Sequence, residues 1–162
     1  MYYFYPKLIF MLHPPISIRK ATIEDMTDIH RLVYQLAVYE KAPEEVTTTP
    51  DQYRRDFANH VFDCLVAIVD SQIVGIALYF VAYSTWKGPM IYLDDFVVDV
   101  RHRGQGIGHQ LFDALLLEAK NKNIHRVKWQ VLDWNTPAIR FYEKYNASFD
   151  KSWWNGTITI EP

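Results

Sequence analysis

The chain has 162 residues, 49% of them hydrophobic and 22% charged, with a formal net charge of −2. That length suits one domain with a real core, and the composition excludes disordered and fibrous classes. The near-balance of charge gives nucleic acid no electrostatic footprint, and the single cysteine, Cys64, excludes an internal disulfide or a multi-cysteine zinc site.

Residues 1–12 are aromatic and aliphatic, with Lys7 the one charge. They are too short to span a bilayer, which takes ~20 apolar residues. A secretory signal would end in small residues, whereas His13-Pro14-Pro15 follows here. Residues 1–15 are therefore expected to be an extension, with Met11 as an alternative start, on a single domain over 16–162. The expected setting is a reducing cytoplasm without membrane attachment.

Ile16-Ser17-Ile18-Arg19 alternates as a short strand. Thr22 then caps a helix with acids in its first turn, and Ile29, Leu32, Val33, Leu36 and Tyr39 carry it to about Glu40. Thr49-Pro50-Asp51-Gln52 opens a second helix through a capping box with proline at the first helical position. Three strands are predicted over 63–69, 73–82 and 90–99. The glycine segment comes next, then a helix with Ile107, Leu111, Leu115 and Ala119 on one face. A strand over 126–132, a helix over 136–145 and a hairpin built from 147–153 and 156–160 complete the chain. The pattern is a mixed α/β domain.

Gly104, Gly106 and Gly108 follow a strand and open a helix. Glycines let the backbone approach a ligand closely, and a helix start directs N–H groups and positive dipole at an anion. Such a cradle suits a pyrophosphate, with Arg101 and Arg103 adding charge-assisted contacts. A Walker loop would need a lysine after its last glycine, and none follows. A dinucleotide fingerprint would need glycine at position 109, which is His109. A plain helix-starting turn would not call for the two arginines.

The segment Arg103-Gly104-Gln105-Gly106-Ile107-Gly108, with Arg101 before it, resembles the acetyl-CoA loop of the GNAT N-acetyltransferase superfamily. The resemblance extends over most of 16–160 and is strongest to the diamine (spermidine/spermine) and thialysine acetyltransferase group. It rests on Leu36-Ala37-Val38-Tyr39-Glu40, Tyr92-Leu93-Asp94-Asp95-Phe96 and Trp134-Asn135-Thr136-Pro137-Ala138-Ile139-Arg140-Phe141-Tyr142. It implies a mixed, mostly antiparallel sheet splayed at its central strands, with helices on both faces. Phe96, Val97 and Val98 would lie along the pantetheine arm of acetyl-CoA. Residues 103–109, including Gln105, Ile107 and His109, would hold the pyrophosphate with Arg101, and Asn135 and Ala138 would add to the same site. Tyr142 would be the general acid.

The resemblance places a catalytic base at Asp94, where the family carries glutamate. Strand alternation puts Asp94 with Tyr92 and Phe96, and Asp95 on the opposite face with Leu93 and Val97. Tyr39, Glu40, Trp86 and Asp94 would line the amine side. Ser84 stands where diamine enzymes carry an acid, which favours a small amine or amino acid over a long polyamine. The implied reaction is direct transfer of acetyl from acetyl-CoA to a primary amine in a ternary complex, by a homodimer. Two other readings share the motif: an acetyltransferase of protein or peptide amines, and a non-catalytic acyl-CoA sensor. The six histidines show no metal-ligand spacing, so no metal is expected.

Overall fold

In the structure, a computed structural model, residues 15–160 are described. The proposed extension over residues 1–15 lies almost entirely outside them. The chain divides into two compact units, one ending at Trp129 and the other beginning at Gln130.

The first unit is built on a five-stranded sheet in the order β1-β2-β3-β4-β5. The strands are β1 (Ser17–Lys20), β2 (Asp63–Val69), β3 (Gln72–Ser84), β4 (Gly88–Val98) and β5 (Val127–Lys128). The first four pair antiparallel and β5 lies parallel to β4. Between β1 and β2 run helices α1 (Met26–Tyr39) and α2 (Pro50–Ala58); α3 (Ile107–Asn121) links β4 to β5. A parallel partner requires such a crossover.

Local chemistry sets the helix starts. The Thr22 N–H donates to the Asp25 carboxylate at 2.7 Å, and Arg19 grips the same carboxylate at 2.6 and 3.0 Å, fastening β1 to the turn before α1. Thr49 accepts from the Gln52 N–H at 3.2 Å with Pro50 at the first helical position of α2.

Helices cover both faces of the sheet. Met26, Ile29 and Leu32 of α1 are fully buried against Cys64, Val66, Ile76, Leu78 and Val97. On the other face the α3 stripe of Ile107, Leu111, Leu115 and Ala119 is buried, and Phe112 meets Phe96 edge-on at 5.6 Å. The expected stripe and the helix-on-both-faces arrangement therefore hold.

The second unit contains α4 (Thr136–Glu143). Asn135 caps it by accepting from the Ala138 N–H at 3.3 Å, as its sequence position predicts. Two expectations near the C-terminus fail. The strand read over 126–132 shortens to Val127–Lys128, and residues 147–160 contain no strand, so the hairpin is absent. Alternating apolar residues specify a strand only where a neighbouring edge takes up their N–H and C=O groups. Trp153, Trp154, Ile158 and Ile160 instead stand 72–96% exposed.

Candidate active site

The central strand β4 opens on one side. β5 meets it only at Ile91↔Val127 and Tyr92↔Lys128, with the Ile91 N–H donating to the Arg126 carbonyl at 2.9 Å. β4 itself continues to Val98, beyond the last residue paired with β5. The Asp99 N–H faces β3, donating to Val74 at 2.8 Å. By alternation the Val97 N–H also faces β3, and the Phe96 and Val98 N–H groups face the open edge. Arg103 Nε reaches the Val98 carbonyl from that side at 3.0 Å. The β4–β5 pairing thus stops at Tyr92, before the two residues assigned to the pantetheine arm, which is the splay that the resemblance implies.

A β-bulge lies beside this opening. Tyr79 pairs with Leu93 and Leu78 with Asp95, so Asp94 is an extra residue without a partner on β3. An inserted residue breaks strict alternation and bends the strand. It also corrects the opposite-face expectation for the two aspartates. Asp95 sits across from Leu78, which belongs to the cluster under α1. Tyr53 of α2 packs on that cluster, and its phenol is pushed up to about 12 by burial and by the charges of Asp95 and Asp94. Both carboxylates therefore act on the α1–α2 face. Burial, then the neighbouring charges of Asp94 and Glu40, raise the Asp95 carboxyl to about 7. Burial alone raises Asp94 and Glu40. The result is three carboxyl groups in one region, one of them titrating near neutrality.

The glycine segment adopts the conformation its glycines permit. Gly104 and Gly106 have φ of 77° and 81°, in the left-handed region, and a Cβ on either would meet nothing within 4 Å. Their requirement is conformational, not steric crowding. Gly106 is the N-cap of α3 and has no side chain to cap it, so the first-turn amides and the helix dipole stay directed at the loop. Gly108 and the half-buried His109 lie in that first turn, Gln105 is half-buried before it, and Ile107 is core.

Both arginines are engaged within the protein. Arg101 holds the Asp99 carboxylate through Nε and Nη2 at 3.0 and 2.8 Å, while its side chain is 71% exposed. The Arg103 guanidinium lies 5.3 Å over the Tyr39 ring, joining the glycine segment to the C-terminal end of α1. Tyr39 thus meets the loop, whereas the next residue, Glu40, adds to the charge that raises the Asp95 carboxyl. Trp86 is 82% exposed in the β3–β4 turn. There Ser84 Oγ accepts from the Trp86 and Lys87 N–H groups at 3.3 and 3.2 Å and fastens the turn.

In the second unit, Asn135 is buried with its side-chain oxygen committed to the Ala138 N–H, and Tyr142 is 6% exposed on α4 beside Phe141. Reading the sequence missed Asp99, a buried acid two residues before Arg101. An acid at the foot of a basic, glycine-rich segment was the available signal. Among the described residues no cluster of His, Cys, Asp or Glu is suited to a metal.

Residues 23–147 match the acetyltransferase (GNAT) family. A thialysine N-epsilon-acetyltransferase of Mus musculus is 37% identical over 140 residues, which covers 80% of this chain and 82% of the relative. An L-ornithine N5-acetyltransferase of Arabidopsis thaliana is 26% identical, over 84% of this chain and 81% of the relative. Among solved structures, an aminoglycoside acetyltransferase from an uncultured soil metagenomic sample superposes with a TM-score of 0.75 at 19% identity. It covers 90% of this chain and 97% of that one, a likeness of fold.

Proposed function

The chain belongs to the GNAT acetyltransferase family, and from that premise we propose that it transfers acetyl from acetyl-CoA to a primary amine of a small molecule. The observation that carries the reading is the half-open strand β4. Its pairing with β5 ends at Tyr92, its two aspartates lie just beyond, and an uncapped helix start follows. The family and the relatives' names support the class of reaction.

Acetyl-CoA fits the residues present. The Phe96 and Val98 N–H groups are directed at the edge where an amide-bearing arm would add as a strand. The left-handed glycines and the α3 amides suit a pyrophosphate. When bound, acetyl-CoA supplies an activated acyl group.

The acceptor sets the proton problem. An alkylammonium of reference pKa ~10.4 has no lone pair for attack at neutral pH. The Asp94/Asp95 pair accepts its proton through water, and Asp95 is the member poised near neutrality. The freed amine attacks the acyl carbon, the C–S bond breaks, and the departing sulfur takes a hydrogen bond or proton from Tyr142. A phenol at ~10 is a weaker acid than a thiol at ~8.5, so full transfer is uphill by roughly 2 kcal/mol, and stabilising the thiolate is much of the tyrosine's work. The sole cysteine, Cys64, is buried under α1 with its thiol pushed well up, which favours direct transfer over an acyl-cysteine. Assembly as a cytoplasmic homodimer remains part of the proposal, supported by the family resemblance.

The acceptor is a small amine or amino acid of the thialysine type, since Ser84 removes a charge a long polyamine would use. Thiol release from acetyl-CoA across polyamines, amino acids and peptides tests this. Fastest release with a lysine-like amino acid is expected; fastest release with spermine or with peptides overturns the acceptor assignment.

A further inference from the structure

Asp99 has no role in the chemistry above, yet its carboxylate is 3% exposed, takes hydrogen bonds from Arg101 and is approached more distantly by Arg31 and His102. The Arg101 backbone N–H donates to Oδ1 at 3.0 Å, and the Arg101 guanidinium forks onto both oxygens at 3.0 and 2.8 Å. From α1, Arg31 brings Nη1 to 3.9 Å of Oδ2. His102 Nδ1 stands 3.9 Å from Oδ1. Arg31 is itself fixed: Nη2 donates to the Ile73 carbonyl on β3 at 3.0 Å, and Asp28 holds the same guanidinium at 3.1 Å. Asp99 also begins the single helical turn Val100–His102 that leads into Gly104.

One carboxylate thus connects α1, the end of β4 and the backbone just before the glycines. Its position matters because the glycines cannot set their own direction. Gly104 and Gly106 are free to adopt many conformations, and a cradle of N–H groups binds an anion well only if something else fixes it beforehand. Arg101 is held by its inner edge, leaving most of the side chain in solvent, so its orientation is fixed by Asp99 as well.

We propose that Asp99, braced by Arg31, is a positioning residue that pre-sets the glycine segment and Arg101 for the diphosphate of acetyl-CoA. The proposal rests on reading that segment as the acetyl-CoA site. It assigns Asp99 an effect on the donor substrate alone.

The test compares Asp99→Asn, Arg31→Gln and Arg31→Lys with wild type in kcat, both KM values, thermal stability and calorimetric binding of coenzyme A. Asp99→Asn should raise the acetyl-CoA KM roughly tenfold, equivalent to about 1.4 kcal/mol, with kcat and the amine KM within about twofold. Arg31→Gln should raise it by roughly threefold, and Arg31→Lys, which keeps a cation beside Asp99, should restore most of it. If Asp99→Asn does not fold, the two Arg31 variants carry the test. Parallel changes in both KM values, no change in folded variants, or no difference between Arg31→Gln and Arg31→Lys would overturn the proposal. Wild-type protein that binds no coenzyme A would overturn instead the reading of the segment on which it rests.

Discussion

At the scale of single residues, the bulge at Asp94 changes what the two aspartates can do. On a regular strand they would sit on opposite faces and titrate independently; here the charge of Asp94 helps raise Asp95 to about 7. If the pair accepts the ammonium proton, kcat/KM should fall on the acid side with an apparent pKa near 7, a property of the coupled pair. Asp95→Asn should abolish that limb. Asp94→Asn should keep it but move it to lower pH, because one of the charges that raises Asp95 is gone; a limb lost in Asp94→Asn and intact in Asp95→Asn would reverse the assignment. Stability follows with the opposite sign to an ion-paired acid. The Asp95 carboxyl is raised in the fold, so folding loses stability as pH climbs from about 4 to 7 and the unfolded chain releases its proton first. Asp95→Asn should therefore melt higher than wild type at pH 8, by roughly 2–4 °C for each kcal/mol relieved, and match it near pH 4. Tyr142→Phe should lower kcat roughly tenfold or more in a folded protein, the usual range for an acid–base group. Full activity would remove Tyr142 from the mechanism.

At the scale of elements, what the sequence showed depended on whether a segment carried its own determinants. The α3 stripe, the Thr49-Pro50 start of α2 and the Asn135 cap of α4 are local patterns, and each forms where residue spacing and capping chemistry put it. Strands are different, because pairing decides them. The bulge was invisible because it is fixed by the register of β3 against β4, and Tyr92-Leu93-Asp94-Asp95 alternates as well in a flat strand as in a bulged one. The 147–160 hairpin was misread for the same reason. Of the candidate site, the glycine segment and the acidic strand were legible as motifs; the commitment of Arg101 to Asp99 and of Arg103 to Tyr39 and Val98 was not, since those partners come from the fold. Two substitutions separate packing from cradle. Leu115→Ala, fully buried on α3, should cost about 2–5 kcal/mol in unfolding free energy without altering substrate preference. Gly106→Ala meets no atom within 4 Å but forces an L-residue to φ near 81°. It should cost only about 1–2 kcal/mol while raising the acetyl-CoA KM. An unchanged KM would show that the left-handed turn is not part of the donor site.

At the scale of the whole molecule, the chain has the family's mixed α/β sheet with helices on both faces. On the proposed reading, a splayed sheet would offer backbone to the donor, a glycine turn amides to its phosphates, and the α1–α2 face carboxylates to an amine. Ser84 and Asp94 are where that reading departs from the family pattern, and both departures would fall on the acceptor side. The most direct measurement follows the acetyl group itself. Protein and acetyl-CoA labelled in the acetyl carbon are mixed first, a lysine-like amino acid is then added, and the label is located before the addition and after one turnover. Direct transfer predicts label in the N-acetylated amine, none on the protein, and no release of coenzyme A until the amine is added. Label retained on the protein before the amine arrives would contradict direct transfer. Tight binding of acetyl-CoA with no transfer to any amine would contradict the catalytic reading altogether.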